Sequence, residues 1–410
     1  MSLEPTTIRS IDRDEYDTFN HVMQHAFGHG PDEKVAAHDL ELLELERTLA
    51  TFDGSELVAT AGIYSFEMTV PGRTVPTAGV TWVSVLPTHR RQGLLTQLMR
   101  RQLDDVHEAG REPVAALWAS EPSIYGRFGY GIASYAYGLT VPRRANRLWP
   151  VPGAEDLRLR VVEAGDHVDA ALRVYDHDRA RRPGMLALQG PWRTRGLFFP
   201  ESMRHGASPL RTVHAETADG EVRAYARYAT RPGKDFNEAT TVVRELHAMD
   251  GPAMAAMLKL LLDQDLTVES TLWLRPADDP VLQQLVDPRA AEARRGDGLQ
   301  VRLVDLPAAL AARTYAVPVD VVVEVEDAFC PWNTGRWRVS GDPTGATCAP
   351  TKDQADLALG VRELGATYLG GPTLVGLADA GLVREHTAGS VGELSLALHH
   401  QPAPWSPFIF

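Results

Sequence analysis

The possible folds of this chain are limited above all by one junction, residues 82–95, where a strand passes through an Arg-Arg-Gln-Gly turn into a helix. Helix N-termini expose unpaired N–H groups and carry partial positive charge, so they bind phosphate well. Gly93 has no side chain and lets a ligand approach the backbone closely, while Arg90 and Arg91 add positive charge beside it. The junction therefore predicts a pyrophosphate-binding loop in an α/β fold.

The order of elements around this junction recurs later in the chain. The first copy is predicted as helices over 15–26 and 33–49, strands over 56–66 and 73–86, a helix over 93–108 and a strand over 114–118. A looser version of the same order follows between about 150 and 295, which predicts an internal structural repeat. The last segment is predicted to contain strands over 320–325 and 335–340 and helices over 355–359 and 361–364.

Composition excludes several classes of protein. The 54 acidic against 41 basic residues give a net charge of −13, whereas a nucleic-acid-binding protein needs a basic surface, so we expect no nucleic-acid partner. Cys330 and Cys348 supply neither a disulfide framework nor a metal-ligand cluster, so we expect no metal. The first residues lack a signal-peptide pattern, and no apolar run reaches the ~18 residues of a membrane span. We therefore expect a cytoplasmic protein with no membrane partner.

Two stretches and the chain end resemble a known family. Arg90-x-x-Gly93-x-Leu95 resembles the acetyl-CoA loop of the GCN5-related N-acetyltransferase (GNAT) superfamily, usually written Arg/Gln-x-x-Gly-x-Gly/Ala. Leu95 replaces the small final residue, as in the Eis-like (enhanced intracellular survival) branch, whose loop reads closely like His-Arg-Arg-x-Gly-Leu-Leu. The turn Ile-Tyr-Gly-Arg-Phe-Gly-Tyr-Gly at 124–131 and the terminal Phe-x-Phe also resemble this branch.

The resemblance implies three fused domains in an α/β (α+β) fold. They are a catalytic GNAT domain over 1–148, a degenerate second GNAT domain over 149–297 and a sterol-carrier-protein-like domain over 298–410. Their sheets are expected to be mixed and mostly antiparallel, with a splayed strand pair. The loop of the second copy, residues 246–253, lacks paired arginines and contains Pro252, so we expect no CoA there. Family members of this type are hexameric, so the resemblance implies a homo-oligomer, a homohexamer.

The same resemblance assigns an acetyl-CoA site. In GNAT folds the pantetheine bonds the backbone of a splayed strand, which here implies Val83, Ser84 and Val85, with the Val85 N–H as the oxyanion donor. The other residues assigned to the cofactor lie in the loop, in the first helical turn and after the next strand: Arg90, Arg91, Gln92, Gly93, Leu94, Leu95, Thr96, Ser120 and Glu121. Without the resemblance, Ser120 and Glu121 would be interpreted as helix-cap residues.

Acetyl transfer to an amine requires an acid that protonates the departing thiolate. Tyr125 suits this role because a phenol, with a reference pKa of ~10, keeps its proton at neutral pH. Spacing alone favours a tyrosine that only anchors the glycine-rich turn, and Tyr130 is expected to have that duty. The resemblance implies that Tyr125 is the general acid.

The reaction also requires a base that takes a proton from the substrate ammonium. The resemblance implies the α-carboxylate of Phe410, whose reference pKa of ~3.3–3.7 would be raised by burial. The usual alternative for a chain end is a frayed, exposed terminus. The last ten residues contain three aromatic side chains, three prolines and no charged side chain, which favours burial. Histidines 25, 29 and 38 stay open as alternative bases.

The acceptor follows from the resemblance alone, since Eis-like enzymes acetylate amines of aminoglycosides. An amine-bearing small molecule is therefore expected, with protein lysines and polyamines as alternatives. Trp82 is expected to line the acceptor pocket and to pack on a sugar ring or a cation. The acidic residues between 32 and 46 are interpreted mainly as a solvated face. A non-catalytic CoA- or lipid-binding protein and a structural partner protein stay open as other classes.

Overall fold

The computed structural model describes residues 7–235 and 237–410, which divide into two compact units. The first unit comprises the residues up to Ser134, together with Gly298–Gln401 and Ile409–Phe410. The second comprises Tyr135–Asp297 and Pro402–Phe408. None of the helices in the described ranges combines the length and the apolar character that a membrane crossing requires.

The strands in chain order are β1 (Thr7–Arg9), β2 (Thr48–Asp53), β3 (Glu56–Val70), β4 (Arg73–Val85), β5 (Val114–Trp118), β6 (Gly131–Ile132), β7 (Tyr135–Pro142), β8 (Arg158–Val162), β9 (Arg211–Glu216), β10 (Val222–Arg231), β11 (Ala239–Ala248), β12 (Thr267–Pro276), β13 (Glu292–Asp297), β14 (Leu299–Leu303), β15 (Val319–Glu326), β16 (Gly335–Asp342), β17 (Gly345–Pro350), β18 (Leu357–Gly360) and β19 (Val383–Glu385). The α-helices are α1 (Tyr16–Phe27), α2 (Glu33–Leu42), α3 (Leu94–Ala109), α4 (Pro122–Tyr125), α5 (Val168–Arg179), α6 (Glu201–Arg204), α7 (Gly251–Leu262), α8 (Val281–Gln284), α9 (Leu306–Ala311), α10 (Val361–Thr367), α11 (Leu374–Asp379) and α12 (Ser390–Leu398).

The sheet that carries the Arg-Arg-Gln-Gly turn has the order β1-β2-β3-β4-β5-β14-β6 and lies in the first unit. Its strands are antiparallel except for β4 and β5, which pair in parallel at three positions, the last being Gly79↔Ala116. Beyond that pair, β4 runs on to Val85 and β5 to Trp118 with no further pairing between them in the described register. The predicted splayed strand pair is therefore confirmed.

The helix that follows the turn is α3, as predicted over 93–108. It ends at Gly110, whose φ of 62° is the left-handed conformation typical of a helix C-cap. One face of α3 is buried against the sheet by Leu94, Leu98, Met99, Leu103 and Val106. Fully burying an aliphatic side chain contributes about 1.5–3 kcal/mol, so this face fixes the position of the turn at the start of the helix.

The second unit repeats this architecture with the sheet order β13-β7-β12-β11-β10-β9-β8. Helix α7 covers one face of the sheet with a run of apolar residues, including Met257, Leu258 and Leu261. The repeat predicted from the order of elements is thus confirmed as a second seven-stranded sheet covered by its own helix. Strand β7 pairs with β12 and β13 in this sheet, whereas β14 pairs with β5 in the first sheet. The domain boundaries at 148 and 297 stay a prediction.

A five-stranded sheet, β17-β16-β15-β18-β19, belongs to the C-terminal part of the first unit. Strand β15 is central: Val321, Val323 and Val325 are buried on one face of it, and Val322 is buried on the other. Helices α9 and α12 pack against this sheet, and α10 packs against β14 and β6. Three mixed α/β sheets therefore make up the described fold.

Two predicted helices were wrong in part or in full. The helix predicted over 33–49 ends at Leu42, because the chain is extended at Leu43 and then forms β2, which pairs with both β1 and β3. The helix predicted over 355–359 is mostly strand β18, which pairs in parallel with the buried β15. In both places pairing with a distant strand outweighs the local helical pattern.

The glycine-rich turn at 126–131 packs against the C-terminal part of the first unit. A Cβ added at Gly131 would lie 2.1 Å from the Arg362 carbonyl oxygen and 2.3 Å from the Ala366 nitrogen, both in α10. At Gly129, where φ is +84°, it would lie 2.8 Å from the guanidinium carbon of Arg302. The glycines are therefore required for close approach between backbone segments.

We expect Gly131→Ala to destabilise the protein by about 3 kcal/mol, because the added methyl group meets backbone atoms that move only if the helix moves. Thermal unfolding followed by circular dichroism measures this change. Gly30→Ala is the matched control, since a Cβ there meets no atom within 4 Å. Equal melting temperatures for the two variants would contradict the packing role.

Candidate active site

A β-bulge interrupts the pairing of β3 and β4 just beyond the point at which β4 parts from β5. The register shifts between Thr60 and Gly62, and Trp82, opposite the shift, has a φ of 56° that is unusual for a side-chain-bearing residue. The Thr60 hydroxyl donates to the Trp82 carbonyl at 2.6 Å and lies 2.6 Å from the Ser84 hydroxyl. These contacts direct the Ser84 side chain towards β3 and stabilise the bulge.

The backbone of Val85 faces the side on which β4 has no partner. The Leu86 N–H donates to the Val58 carbonyl at 2.9 Å, which marks a hydrogen-bonded pair of the antiparallel ladder. Such pairs recur every second residue, so Val85 is a non-hydrogen-bonded position whose N–H points away from β3. Val83 lies within the bulge and has no partner on β3 in the described register. This edge can donate and accept hydrogen bonds to an extended ligand lying in the splay.

The Arg-Arg-Gln-Gly turn has the conformation of an anion-binding loop. Arg91 and Gly93 both have positive φ, 61° and 85°, immediately before the first residue of α3. Alternation of this kind turns backbone N–H groups towards one side, where they join those of the helix N-terminus. A Cβ at Gly93 would meet only the Gln97 side-chain nitrogen, at 3.9 Å, so the loop is open to a ligand. The residues present therefore fit a pyrophosphate group.

The side chains of the turn have different surroundings. Arg90 donates to the Ala26 carbonyl at 3.1 Å and so links the turn to the end of α1, whereas Arg91 is exposed. Gln92 donates to the Thr88 carbonyl at 3.2 Å. Leu94 is buried under the turn, Leu95 is half-buried and Thr96 is exposed. Arg91, Gln92 and Thr96 are thus the side chains best presented to a bound phosphate.

Tyr125 lies in the short helix α4, just after β5 ends. Ser120 and Glu121 precede it and are exposed, and neither caps the helix through its side chain. The Tyr125 side chain is mostly buried and contacts the Tyr130 ring edge-on at 6.1 Å. Burial, with the nearby charge of Glu121, raises the pKa of Tyr125 to about 12. The phenol is therefore held in its protonated form.

This raised pKa predicts the pH dependence of the reaction. A tyrosine with a pKa near 12 keeps its proton through pH 10, so deprotonation of Tyr125 should not lower kcat/KM in that range. We expect kcat/KM to rise as the amine and the base lose their protons and then to stay level up to pH 10. Initial rates across the pH range measure this profile. A fall in kcat/KM with a midpoint below about pH 10 would contradict Tyr125 as the acid.

A buried ion pair that was not predicted from the sequence lies next to the glycine-rich turn at 126–131. Arg302 and Asp327 are 2.5 Å apart, and their side chains are 0% and 1% exposed. Tyr130, in the same region, is buried with its hydroxyl unpaired among the described residues. A charged residue within the apolar strand Leu299–Leu303 was the available signal, because a buried charge requires a partner.

The aromatic end of the chain lies at the point where β4 and β5 part. The Phe410 ring meets the Phe66 ring edge-on at 4.9 Å, and a Cβ at Gly79 would lie 3.2 Å from the Phe410 ring. Gly79 is the last residue of β4 that pairs with β5. A Cβ there would lie 2.5 Å from the Phe66 ring, so a bulkier residue would displace the ring against which Phe410 packs. An isolated glycine within a strand indicates such a close approach, a signal that the sequence analysis missed.

The segment that leads to this end is anchored within the second unit. Trp405 is buried, and its indole N–H donates to the Leu274 carbonyl at 2.5 Å. The Ala403 carbonyl accepts from Arg182 at 2.7 Å, and the Ala403 N–H donates to Asp278 at 2.8 Å. Residues 402–408 are therefore fixed rather than frayed, as the composition of the tail predicted.

Trp82 belongs to a mostly buried aromatic cluster. Its ring lies 5.6 Å from Phe19 and 6.3 Å from Tyr16, both in α1, and its indole N–H donates to the Tyr64 hydroxyl at 2.9 Å. Only 9% of Trp82 is exposed, so most of its ring is packed against α1 and β3 and is not available to a ligand. His25 and His29 are exposed near the end of α1, and His38 is half-buried in α2.

The corresponding junction of the second unit lacks the features of the first. Helix α7 begins after Asp250, whose carboxylate accepts from the Ala253 N–H at 2.8 Å and from Arg223 at 2.7 Å. An acidic side chain already fills this helix N-terminus and would repel a phosphate. This arrangement supports the prediction that CoA does not bind there.

Comparisons with known proteins agree with this architecture. Sequence profiles of the acetyltransferase (GNAT) domain match residues 7–133 and 184–303, and a sterol carrier protein domain profile matches residues 306–407. An uncharacterized N-acetyltransferase of Streptomyces avermitilis is 47% identical over 410 residues, which cover 99% of this chain and 100% of the relative. The N-acetyltransferase Eis of Mycobacterium tuberculosis is 34% identical over 340 residues, which cover 81% of this chain and 80% of Eis.

A solved structure extends the likeness to three dimensions. The crystal structure of Eis1 from Mycobacterium abscessus superimposes with a TM-score of 0.84 at 33% identity, covering 98% of this chain and 100% of Eis1. A GCN5-related N-acetyltransferase from Anabaena variabilis superimposes with a TM-score of 0.86 at 16% identity, which supports the fold alone.

Proposed function

The chain belongs to the Eis-like family of GNAT N-acetyltransferases, and from this we propose that it transfers acetyl from acetyl-CoA to primary amines, in the first place those of aminoglycosides. Membership of this family makes it an acyltransferase. One observation carries the proposal beyond the family: the open edge of β4 between Gly79 and Val85 adjoins the exposed turn that precedes α3.

We propose a separate role for each part of the site in binding and using acetyl-CoA. Acetyl-CoA, when bound, supplies the acetyl group as a thioester. The turn at Arg91 and Gly93 holds the pyrophosphate, and the β4 edge at Val83 and Val85 orients the pantetheine arm. As the amine attacks, the Val85 N–H donates to the carbonyl oxygen that gains negative charge. Stabilisation of this kind by a fixed donor is commonly the largest single catalytic contribution.

Proton transfers at each end of the reaction complete the proposal. The Phe410 carboxylate takes a proton from the substrate ammonium, which frees the nitrogen lone pair for attack. Tyr125 gives its proton to the departing sulfur, a step for which its raised pKa keeps it in the required form. The proposal needs no metal ion, since both proton transfers are made by groups of this chain.

We propose an aminoglycoside as the acceptor because of the family to which the chain belongs and because of the acidic residues of α2. Glu33, Asp39 and Glu41 all lie in this helix. Asp39, together with Asp17 of α1, places negative charge near Tyr16. Such a field concentrates polycations, which aminoglycosides and polyamines both are. Phe19 is fully buried and Trp82 is 9% exposed, so we propose that only the exposed part of Trp82 contacts the acceptor. Protein lysines are the second candidate.

A lipid-binding role receives less support. One cavity in the sterol-carrier-like part, of about 610 Å³, is lined by polar groups that include Asp320, Asp342, Thr344 and Glu393. Acidic and hydroxyl side chains of this kind disfavour an acyl chain. We further propose that the protein is cytoplasmic and forms a homohexamer. Sedimentation velocity of the purified chain tests the oligomeric state.

Mass analysis of the products tests the acceptor. The protein is incubated with acetyl-CoA and one amine from a panel of an aminoglycoside, a linear polyamine and a lysine peptide. We expect a gain of one or more acetyl groups on the aminoglycoside, with the highest kcat/KM in the panel. Acetylation of the peptide or polyamine alone would reject the aminoglycoside and keep the transferase. A reaction in amine-free buffer without added acceptor is the control for acceptor-independent loss of acetyl-CoA.

A further inference from the structure

The second unit contains an open cavity of about 630 Å³ that is rich in arginine. Arg204, Arg231, Arg244 and Arg294 line it, whereas Glu292 is the sole acidic residue among the described residues of the lining. We call this cavity the arginine pocket. It lies on the sheet face away from α7, in a domain whose own helix N-terminus is blocked by Asp250, so the proposed acetyl-transfer site leaves it unused.

Three of these guanidinium groups lack a counter-ion in the described part of the chain. Neighbouring arginines of the same sheet are paired: Arg227 lies 2.6 Å from Glu245, and Arg275 lies 2.6 Å from Asp279. By contrast, no described carboxylate oxygen lies within 4 Å of Arg231, Arg244 or Arg294. Unpaired positive charges around a concave surface create a local potential that attracts anions.

Aromatic rings hold one arginine of the pocket in place. The guanidinium carbon of Arg244 lies 5.2 Å from the Phe199 ring centroid and 4.8 Å from that of Trp273. Cation–π contacts on two sides orient the guanidinium before any ligand arrives. Trp273 is 41% exposed, so part of its flat face is available to another planar group.

Backbone distortions coincide with this pocket as they do with the proposed acetyl-CoA site. The pairing of β12 and β7 shifts register between Leu272 and Arg275, which forms a bulge at Trp273, and the next residue, Leu274, has a φ of 49°. His205 in the lining has a φ of 48°. Conformations of this kind cost energy and cluster at functional sites, where bulges re-aim side chains.

The floor of the pocket has room for a ligand. Gly138 of β7 faces Arg294 of β13 in the sheet register, and a Cβ added at Gly138 would meet no atom within 4 Å. The residue is therefore not required for packing against another part of the protein. A larger side chain at this position would occupy the cavity without altering its charge.

We propose that the arginine pocket binds a small ligand that carries phosphate groups and a planar ring, as a nucleotide does. The phosphates lie among Arg231, Arg244 and Arg294, because guanidinium groups donate paired hydrogen bonds to phosphate oxygens. The ring lies against the exposed face of Trp273. This site is separate from the acetyl-CoA loop and belongs to the second unit.

Isothermal titration calorimetry on the full-length protein tests the proposal with three probes. They are ATP, adenosine, which lacks the charge, and inorganic tripolyphosphate, which lacks the ring. We expect ATP to bind more tightly than either fragment. Arg244→Gln and Arg294→Gln should each weaken ATP binding about tenfold or more, as expected for the loss of a charge-assisted hydrogen bond. Gly138→Leu should abolish binding with the arginines intact.

Two controls separate this site from others. Arg289→Gln removes an exposed arginine of the same unit outside the pocket and should leave ATP affinity unchanged. Arg91→Gln should also leave it unchanged, because that residue lies in the acetyl-CoA loop. Loss of ATP binding in Arg91→Gln would overturn the proposal, as would unaltered ATP affinity in Arg244→Gln and Arg294→Gln or no heat with any probe. A changed oligomeric state of the pocket variants without ATP binding would also overturn it, and would indicate an interface between copies.

Discussion

Replacing Tyr125 by Phe is expected to lower kcat by about 10²–10⁴-fold, the usual contribution of a positioned general acid. The change removes one oxygen from a side chain that is packed with Tyr130 and mostly buried, so the shape of the site is retained. Because the cofactor contacts lie on β4 and in the turn before α3, KM for acetyl-CoA should change little. Steady-state kinetics at saturating amine measure both quantities.

Tyr130→Phe is the matched control for this experiment. It makes the same chemical change five residues further along the same turn, at a buried hydroxyl that has no partner among the described residues. Removing an unpaired buried hydroxyl should leave stability unchanged or slightly improved, and kcat within about twofold. Similar losses of kcat in the two variants would assign the effect to packing of the turn and not to acid catalysis.

The second large effect is expected at the chain end. Adding one alanine after Phe410 converts its carboxylate into an amide and moves the terminal charge by roughly 3.5 Å, about the length of one residue. If that carboxylate is the base, kcat/KM should fall by about 10²-fold or more at neutral pH. The melting temperature should stay unchanged, because the anchoring contacts of Trp405 and Ala403 precede the addition.

Phe410→Leu separates the carboxylate from the ring. This variant keeps the terminal charge but loses the edge contact with Phe66. We expect a loss of kcat/KM of less than about tenfold, since an apolar side chain of similar character still fills the space beside Gly79. Full activity of the alanine extension would exclude the terminal carboxylate and leave His25, His29 and His38 as candidate bases.

Local sequence was sufficient for the elements that depend on local chemistry. Helix α3 follows from apolar residues at helical spacing and a glycine stop, and the turn before it follows from Arg90, Arg91 and Gly93. The splayed pair β4–β5 was predicted only through the family resemblance, because a gap between strands has no signature in either strand. The repeat was visible as an order of elements, although the identity of the two halves is faint.

Features that depend on distant parts of the chain could not be predicted. Strand β2 was not predicted, and its first two residues were assigned to a helix, because its stability comes from β1 and β3 on either side. The contact of Phe410 with Gly79 joins residues from opposite ends of the sequence. The arginine pocket collects side chains from several strands whose spacing shows no motif. Sequence periodicity indicates which face of a single helix or strand is buried. These sites are formed by residues from several elements, so periodicity does not predict them.

The most direct test of the transferase is release of free thiol from acetyl-CoA on addition of an aminoglycoside. With the full-length protein we expect one thiol for each acetylated amine, at a rate that depends on amine concentration and falls at least about 10²-fold in Tyr125→Phe. Acetyl-CoA that binds to the protein while no amine of the panel releases thiol would contradict the account, and would indicate a CoA-binding protein without acetyltransferase activity.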